Sequence, residues 1–491
     1  MSNSQIAPPA KVRTKIVATV GPASREPSVL RALVAAGAEV FRLNFSHGTH
    51  EEHSEVLQAI RTIGQEEGRA LGVLQDLGGP KIRLGDIPGD EVECRLGDRF
   101  TLVSDRTSDD PHQLTCTYRD LPRDLKPGDV VLFADGAVAM AATQSDGACA
   151  QLTVTLAGRL RSHQGLNLPG VALNIKALTD KDLHDLDWTA QHCVEYVGQS
   201  FVRCAEDVAW LRRELTARGC RARIVAKIEK PEAVDELDAI LHEADAVMVA
   251  RGDLGVEMDV ARVPAVQKRV IAACHRERVP VITATQMLNS MEHSSRPTRA
   301  EASDVFNAVL DGTDAVMLSG ETAIGDYPVE AVATMSRIAA EAEAVLFSST
   351  GTPGCAQAPE AAISHGRAGW ITPITEGVVE AASLVGRRLK AALVIVATQS
   401  GRTALALSKQ RQAAPIVALS SDAEIVRSMA LYWGVSPLHF AEIADIEHAL
   451  SVTLDWARTR GLIHGGDRVV LVRGTIPGNP AHNAMLVQEV E

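Results

Sequence analysis

Lys227 and Glu229 stand two residues apart after the apolar pair Ile224-Val225, and Arg251 and Asp253 stand two apart after Ala246-Val247-Met248-Val249. Both apolar runs read as strands of a buried parallel sheet. Such strands ordinarily end on turn residues, so paired charges at two neighbouring strand ends need a reason. Two carboxylates from adjacent strands can share one divalent cation, and hard oxygen ligands suit magnesium. A lysine two residues before one of them can hold a phosphoryl group as a point charge. The set is therefore a candidate for phosphate chemistry. The alternative is ion pairing at the rim of a barrel.

The elements that would position these residues recur along the chain. Lys15-Ile16-Val17-Ala18-Thr19-Val20 is a strand stopped by Gly21-Pro22-Ala23-Ser24, and Pro27 to Ala36 is a helix ended by Gly37. Further strand-like runs lie at 39–46, 71–76, 196–202, 223–229, 246–252, 280–285 and 315–319, with helical patterns between them. One helix is expected over Pro231 to Ala244, with Val234, Leu237, Ile240 and Leu241 on one face. Eight such units predict an α/β fold, a (β/α)8 barrel of the TIM type, with its chemistry on the loops at the carboxyl ends of the strands. The barrel is expected over 13–83 and 166–347, after an N-terminal tail at 1–12. The interval 84–165 differs in texture. It holds short alternating runs such as Arg99-Phe100-Thr101-Leu102-Val103 and turn pairs such as Pro127-Gly128, which predict an inserted small β-barrel serving as a lid. A linker and a first helix are expected over 348–378. An open α/β domain follows over 379–491, with strands at 392–397, 415–419, 435–440 and 468–473 and helices near 402–411, 422–432 and 443–460.

Composition bounds the function. The 491 residues are too many for one core, and 46% hydrophobic with only 3% aromatic residues favours Val, Ile, Leu and Ala interiors. No run approaches the ~18 apolar residues of a membrane span, and Met1 to Ala10 lack an apolar signal region, so a cytoplasmic protein is expected. Eight scattered cysteines, without C-x-x-C, read as reduced structural thiols. A net charge of −13 disfavours nucleic acid and anionic membrane as partners. An anionic substrate therefore needs a locally positive pocket.

On an eight-unit barrel the strand ends build a polar ring. The second ends in Arg42-Leu43-Asn44-Phe45-Ser46-His47, the third in Asp76-Leu77-Gly78-Gly79-Pro80-Lys81-Ile82-Arg83, the seventh in Thr283-Ala284-Thr285 and the eighth in Ser319-Gly320-Glu321. Singly, each has a plain explanation as a cap or rim residue. Six of eight strands ending this way is hard to attribute to rim packing. Walker and G-x-G-x-x-G fingerprints are absent, so a nucleotide would be held by charge and metal.

These stretches, with Thr14 to Ser24, Met248 to Glu257, Thr283 to Leu288 and Met317 to Ala323 followed by Gly325-Asp326-Tyr327-Pro328, closely resemble the pyruvate kinase family along nearly the whole chain. The resemblance implies transfer of a phosphoryl group from phosphoenolpyruvate to ADP, giving pyruvate and ATP. It implies Glu229 and Asp253 as ligands of Mg²⁺ (or Mn²⁺) and Lys227 as the lysine that steadies the moving phosphoryl. Arg42 matches a phosphate contact, and Gly252, Asp253 and Thr285 match the binders of phosphoenolpyruvate. Asn44, Ser46, His47, Arg83 and Lys181 match positions around the nucleotide. Thr285, Ser319 and Glu321 could each lead a proton to the enolate, and the sequence does not choose among them. Asp135 resembles a lid residue reaching the metal-nucleotide, and equally reads as a turn aspartate. Family members are usually homotetramers.

Two departures stand out. Many members use K⁺ and carry Glu where this chain has Lys81 and Thr where it has Leu77, while Asn44, Ser46 and Asp76 survive from the ion's ligand set. A lysine ammonium in place of K⁺ would make the monovalent ion unnecessary. In the C-terminal domain, Thr398, Ser400, Gly401, Arg402 and Thr403 join a strand to a helix in a loop that the family uses for a phosphorylated activator, with 473–478 placed to fold over it. Lys81 and the stretch Met429 to Pro437 resemble the bacterial form activated by AMP or sugar monophosphates. Two other readings use the same residues. One is a catalytically inactive metabolite sensor of this fold, and the other is a different Mg²⁺-dependent barrel enzyme acting on phosphoenolpyruvate or a 2-oxo acid.

Overall fold

A computed structural model of the chain describes residues 12–105, 107–171, 173–348, 370–441, 446–475 and 481–491. The tail expected over 1–12, except Val12, and most of the linker expected over 348–378 lie outside the described residues.

Eight parallel strands close a barrel. They are β1 Lys15–Val20, β2 Val40–Asn44, β3 Gly72–Asp76, β4 Tyr196–Gln199, β5 Arg223–Ile228, β6 Ala246–Ala250, β7 Val281–Ala284 and β8 Ala315–Leu318. Each strand pairs with its neighbours in sequence, and β8 returns to β1 through Lys15↔Ala315 to Ala18↔Leu318. Nearly every strand residue is buried, because one face fills the barrel and the other packs on helices. The interior is a stack of Val17, Val40, Leu74, Val225, Met248, Ile282 and Met317, plugged from below by Ala430 and Leu431 of the C-terminal domain. The helix Pro27–Ala36 ends as expected at Gly37, whose φ of 121° few other residues adopt. The helix expected over Pro231 to Ala244 is two helices, Pro231–Asp235 and Leu237–Glu243. A non-helical Glu236 offsets them, so that Ala233 and Val234 and then Leu237, Ile240 and Leu241 all face the core.

The insertion interrupts the loop from β3 to β4. A six-stranded sheet, built mainly from Arg99–Val103, Val130–Phe133, Val138–Ser145 and Cys149–Leu156, and a two-stranded ribbon, Glu91–Cys94 with Gly158–Arg161, share one core around Phe100, Phe133, Leu152 and Leu160. An antiparallel bridge between Arg83 and Gly165 draws its two ends together.

The C-terminal sheet runs Val435–His439, Ile416–Ser420, Leu393–Ala397, Arg468–Arg473 and Ala484–Glu489. The last strand was not expected. It is an antiparallel edge with Leu486 and Val487 exposed, so its pattern lacks the buried run that marks its neighbours. The helix expected before residue 379 spans Pro373–Leu389, with Thr372 capping it. Polar side chains key this domain to the underside of the barrel. Lys15 Nζ donates to Val435 O at 2.8 Å, Arg427 Nε to Glu195 at 2.6 Å, and Tyr196 Oη to Ser428 O. Lys409 and Arg411 reach Asp314 at 2.6 and 3.0 Å. Among the described residues no helix is long and apolar enough to cross a membrane.

Candidate active site

Asp76, at the end of β3, is the hub of the carboxyl-end face. Arg42 Nε and Nη2 both lie 2.6 Å from its Oδ2, and Lys227 Nζ lies 3.3 Å from its Oδ1. Lys227 also reaches Glu229 Oε1 at 2.8 Å and Ser200 Oγ at 2.8 Å. Burial alone would push the Asp76 carboxyl up, but Lys227 and Arg42 hold it below the usual range. Burial would likewise pull the Lys227 ammonium down, yet Asp76 and Glu229 raise it well above an ordinary lysine. The result is a buried cation, charged at any physiological pH and fixed from three sides.

Glu229 follows β5 and is itself buried, its Oε2 accepting from Phe201 N at 2.8 Å. Burial pushes its carboxyl up, Lys227 opposes this, and the nearby Asp253 adds to the rise. A cation between the two side chains would relieve that repulsion on Glu229. Asp253 is placed differently from the expectation. β6 stops at Ala250, and Arg251, Gly252 and Asp253 open a short helix, Arg251–Glu257, where a strand end was expected. Among the described residues no group of three or more His, Cys, Asp or Glu side chains forms a metal cage. Two hard carboxylates without a third fit an ion that takes its other ligands from substrate and water, as Mg²⁺ does.

Arg251 was read as a strand-end charge, and the structure gives it a supporting part. Its Nη2 donates to the carbonyls of Thr285 at 2.8 Å and Gln286 at 3.0 Å, and its Nη1 pairs with Asp304 at 2.6 Å. Thr285 and Gln286 both sit in the left-handed region, at φ 66° and 52°, a strain of about 1 kcal/mol or more each that the surroundings must hold. This turn aims Thr285 Oγ1 at Gly252 N, 2.7 Å away. Arg251→Lys cannot fork to two carbonyls and Asp304. It is expected to lose about 2–3 kcal/mol, seen as a melting temperature several degrees lower.

At the end of β8, Glu321 accepts from Leu288 N at 3.0 Å and Ser319 N at 2.7 Å, and burial raises its carboxyl. Thr285 Oγ1 donates to Ala284 O at 2.6 Å, whereas Ser319 Oγ makes no hydrogen bond among the described residues. Around the β2 loop, Asn44 Oδ1 accepts from Ser46 N at 3.1 Å, and His47 O accepts from His53. Lys181 Nζ donates to Phe45 O and to Asp185, each at 2.7 Å. These residues lie together. Arg83 instead bonds His163 O at 3.2 Å in the insertion, and Asp135 is exposed on a tight hairpin, with φ 53°.

Lys81 is not drawn into the set of Asn44, Ser46 and Asp76. Its stem lies against Gly165, where a β-carbon would be 3.1 Å from Cε and 3.8 Å from Nζ. Arg42 and Lys227 are the cations on Asp76. Thr19 and Ser200 went unlisted in the sequence reading of the ring, though Thr19 Oγ1 accepts from Arg42 at 3.2 Å and Ser200 holds Lys227. A polar residue closing β1 and β4, the two strands left out of that ring, was the available signal.

Below the barrel, Thr398 Oγ1 accepts from Gly401 N at 3.1 Å, and Gly401, at φ 78°, opens the helix Arg402–Lys409. A β-carbon on Gly401 would crowd Met429. Ser400 Oγ lies 3.5 Å from Arg402 N, Arg402 stacks on Trp370, and Thr403 Oγ1 lies 3.1 Å from His482 Nδ1. Arg223, at the foot of β5, donates to Ser400 O at 3.2 Å and to Tyr432 Oη. The strap expected over 473–478 lies outside the described residues beyond Thr475.

Comparison with known proteins agrees with this geometry. A family model described as pyruvate kinase, barrel domain, matches residues 11–332, and one described as pyruvate kinase, alpha/beta domain, matches 376–488. The chain is 41% identical to pyruvate kinase 2 of Synechocystis over 97% of its length and 79% of that protein. It is 40% identical to the pyruvate kinase of Mycobacterium tuberculosis over 95% of its length and 96% of that protein. The crystal structure of a pyruvate kinase from Cryptosporidium parvum superposes over all of both chains with a TM-score of 0.90 at 32% identity.

Proposed function

The chain belongs to the pyruvate kinase family, and from that premise we propose Mg²⁺-dependent phosphoryl transfer from phosphoenolpyruvate to ADP, giving pyruvate and ATP, with Mn²⁺ able to replace Mg²⁺. The observation that carries this reading is the Lys227 ammonium, buried and fixed by Asp76, Glu229 and Ser200. A loose, in-line phosphoryl transfer needs preset positive charge and alignment more than covalent chemistry. Lys227 and Arg42 supply that charge where the phosphoryl moves. Gly252 and Thr285, braced by Arg251, hold the substrate carboxylate. Bound to Glu229 and Asp253, the metal would neutralise charge on substrate oxygens. Of the three candidates for delivering a proton to the enolate, Ser319 has the uncommitted hydroxyl, while Thr285 and Glu321 are engaged by the backbone. Asn44, Ser46, His47, Lys181, Arg83 and Asp135 would bind the nucleotide, the last two moving with the insertion.

A coupled assay with phosphoenolpyruvate, ADP and Mg²⁺ tests the reading. No pyruvate formed would favour the inactive sensor, and turnover without ADP the other barrel enzyme. A second measurement addresses the metal alone. Glu229 must be ionised to bind it, and burial lifts that carboxyl above its ordinary range. Mg²⁺ or Mn²⁺ affinity by calorimetry is therefore expected to fall as pH is lowered, up to about tenfold per unit, from a pH above the usual glutamate range. Glu229→Gln is expected to bind weakly with no such slope.

Three further properties belong to the same reading. K⁺ is not required, because Asp76, the anion of the surviving ligand set, already lies between Arg42 and Lys227; Lys81 would add to this only by leaving Gly165. A large loss of rate in tetramethylammonium buffer, restored by K⁺, would refute it. A phosphorylated activator, AMP or a sugar monophosphate in preference to fructose 1,6-bisphosphate, binds at Thr398, Ser400, Gly401, Arg402 and Thr403. What supports the coupling is Arg223, which grips Ser400 O from the strand that leads to Lys227 and Glu229. Thermal-shift titration ranks the activators. The working form is a cytoplasmic homotetramer, without nucleic-acid or membrane partners, which sedimentation of the purified chain tests.

A further inference from the structure

A cavity of about 220 Å³ lies where the insertion meets the barrel. Its apolar walls come from both bodies: Ile82, Leu168 and Leu173, which flank the insertion and pack with its core, face Phe201 just after β4 of the barrel. Its polar wall is Asn167, Lys230 and Glu257. Glu257 Oε1 takes two donors, Lys230 Nζ at 2.8 Å and Asn167 Nδ2 at 3.1 Å. Glu257 Oε2 and Asn167 Oδ1 are buried and take none among the described residues. Both residues are more than nine-tenths buried, at 5% and 7% exposure. Buried acceptors without donors are uncommon and costly, and here two of them line one largely apolar cavity.

The geometry points to a ligand site at the hinge of the insertion, for a small molecule with an apolar body and an N–H donor head. Concave, mostly apolar walls with a few convergent polar groups are the usual make-up of small-molecule sites. The charges of Lys230, Arg203, Glu232 and Glu257 sum to zero, so an anion gains nothing here, and two open acceptors select for donors. The site is separate from the phosphoryl centre but close to it. Phe201, one wall of the cavity, donates its backbone N–H to Glu229, and Lys230 is the next residue after Glu229. Since the walls belong to two bodies, an occupant would fix the angle between them.

Ligand-observed NMR on the full chain tests this with two probes of one shape. Benzamide offers an N–H₂ head, and methyl benzoate offers none. Benzamide is expected to bind saturably with Kd of about 1 mM, and methyl benzoate at least about tenfold more weakly, the loss of donors to buried acceptors. Glu257→Gln, nearly isosteric, is expected to reduce that preference to less than about threefold. Leu173→Trp, which fills the cavity, is expected to abolish benzamide binding. Equal binding of the two probes, an undiminished preference in Glu257→Gln, unchanged binding in Leu173→Trp, or no saturation below about 10 mM would each overturn the site.

Discussion

Lys227→Met is expected to lower kcat by about 10³-fold while changing KM for phosphoenolpyruvate far less. The lysine's charge acts chiefly on a phosphoryl group in flight, so its removal takes more from the transition state than from the bound substrate. Arg42, the other cation on Asp76, is already committed to Asp76 and Thr19. Loss of the ammonium also leaves Asp76 with one partner and Glu229 with only Phe201 N. A lower melting temperature should therefore accompany the loss of rate. Steady-state kinetics on protein shown by circular dichroism to be folded separates the two effects. A variant retaining more than about a tenth of wild-type kcat would remove Lys227 from the chemistry.

The largest effect on stability is expected at Lys409→Met. Lys409 and Asp314 are both fully buried where the C-terminal domain meets the barrel, and Asp314 also accepts from Val281 N at 2.8 Å. Burial would raise the Asp314 carboxyl, but Lys409 and Arg411 hold it below the usual aspartate range. Removing Lys409 breaks a buried pair and leaves Asp314 with Arg411 as its remaining cation, at a cost of about 3–5 kcal/mol. The pH dependence has a definite sign. A depressed carboxyl contributes stability that is present above its unfolded pKa and is lost as pH falls through the folded value. Lys409→Met should weaken that acid limb along with its stability at neutral pH, since Arg411 alone then holds the carboxyl down. The triple variant Lys409→Met, Arg411→Met, Asp314→Leu should recover part of the loss, since it leaves no unpaired charge of the three. Thermal melts across pH 3 to 8, a range of about five units, read all three outcomes.

The barrel was legible because its strands are short apolar runs such as Val247-Met248-Val249, buried on both faces. Lys227 and Glu229 were legible for the converse reason, being charges where such a run ends. What the sequence concealed depends on contacts across the fold. Asp76 looks like any aspartate in a turn until Arg42 from β2 and Lys227 from β5 converge on it. The helix Arg251–Glu257 carries Gly252 and Gly255, both poor helix formers, and so reads as a loop. The Ala484–Glu489 edge has apolar residues facing outward, which breaks the strand pattern. Lys81 was assigned by its charge and sequence position, and where a flexible stem lies is decided by space, here beside Gly165.

The bridge between Arg83 and Gly165 also bears on how the chain reaches its native state. β3 and β4 are neighbours in the barrel, yet about 120 residues separate Asp76 from Tyr196, the longest gap between barrel strands that follow one another along the chain. If the inserted unit collapses first around its own core, its bridged ends shorten that gap to about 40 residues and reduce the closure entropy by about 1 kcal/mol. Circularisation of the barrel would then wait on a small β unit that contributes none of its staves. A refolding experiment should find protection from hydrogen exchange in the insertion before it appears in β3 and β4.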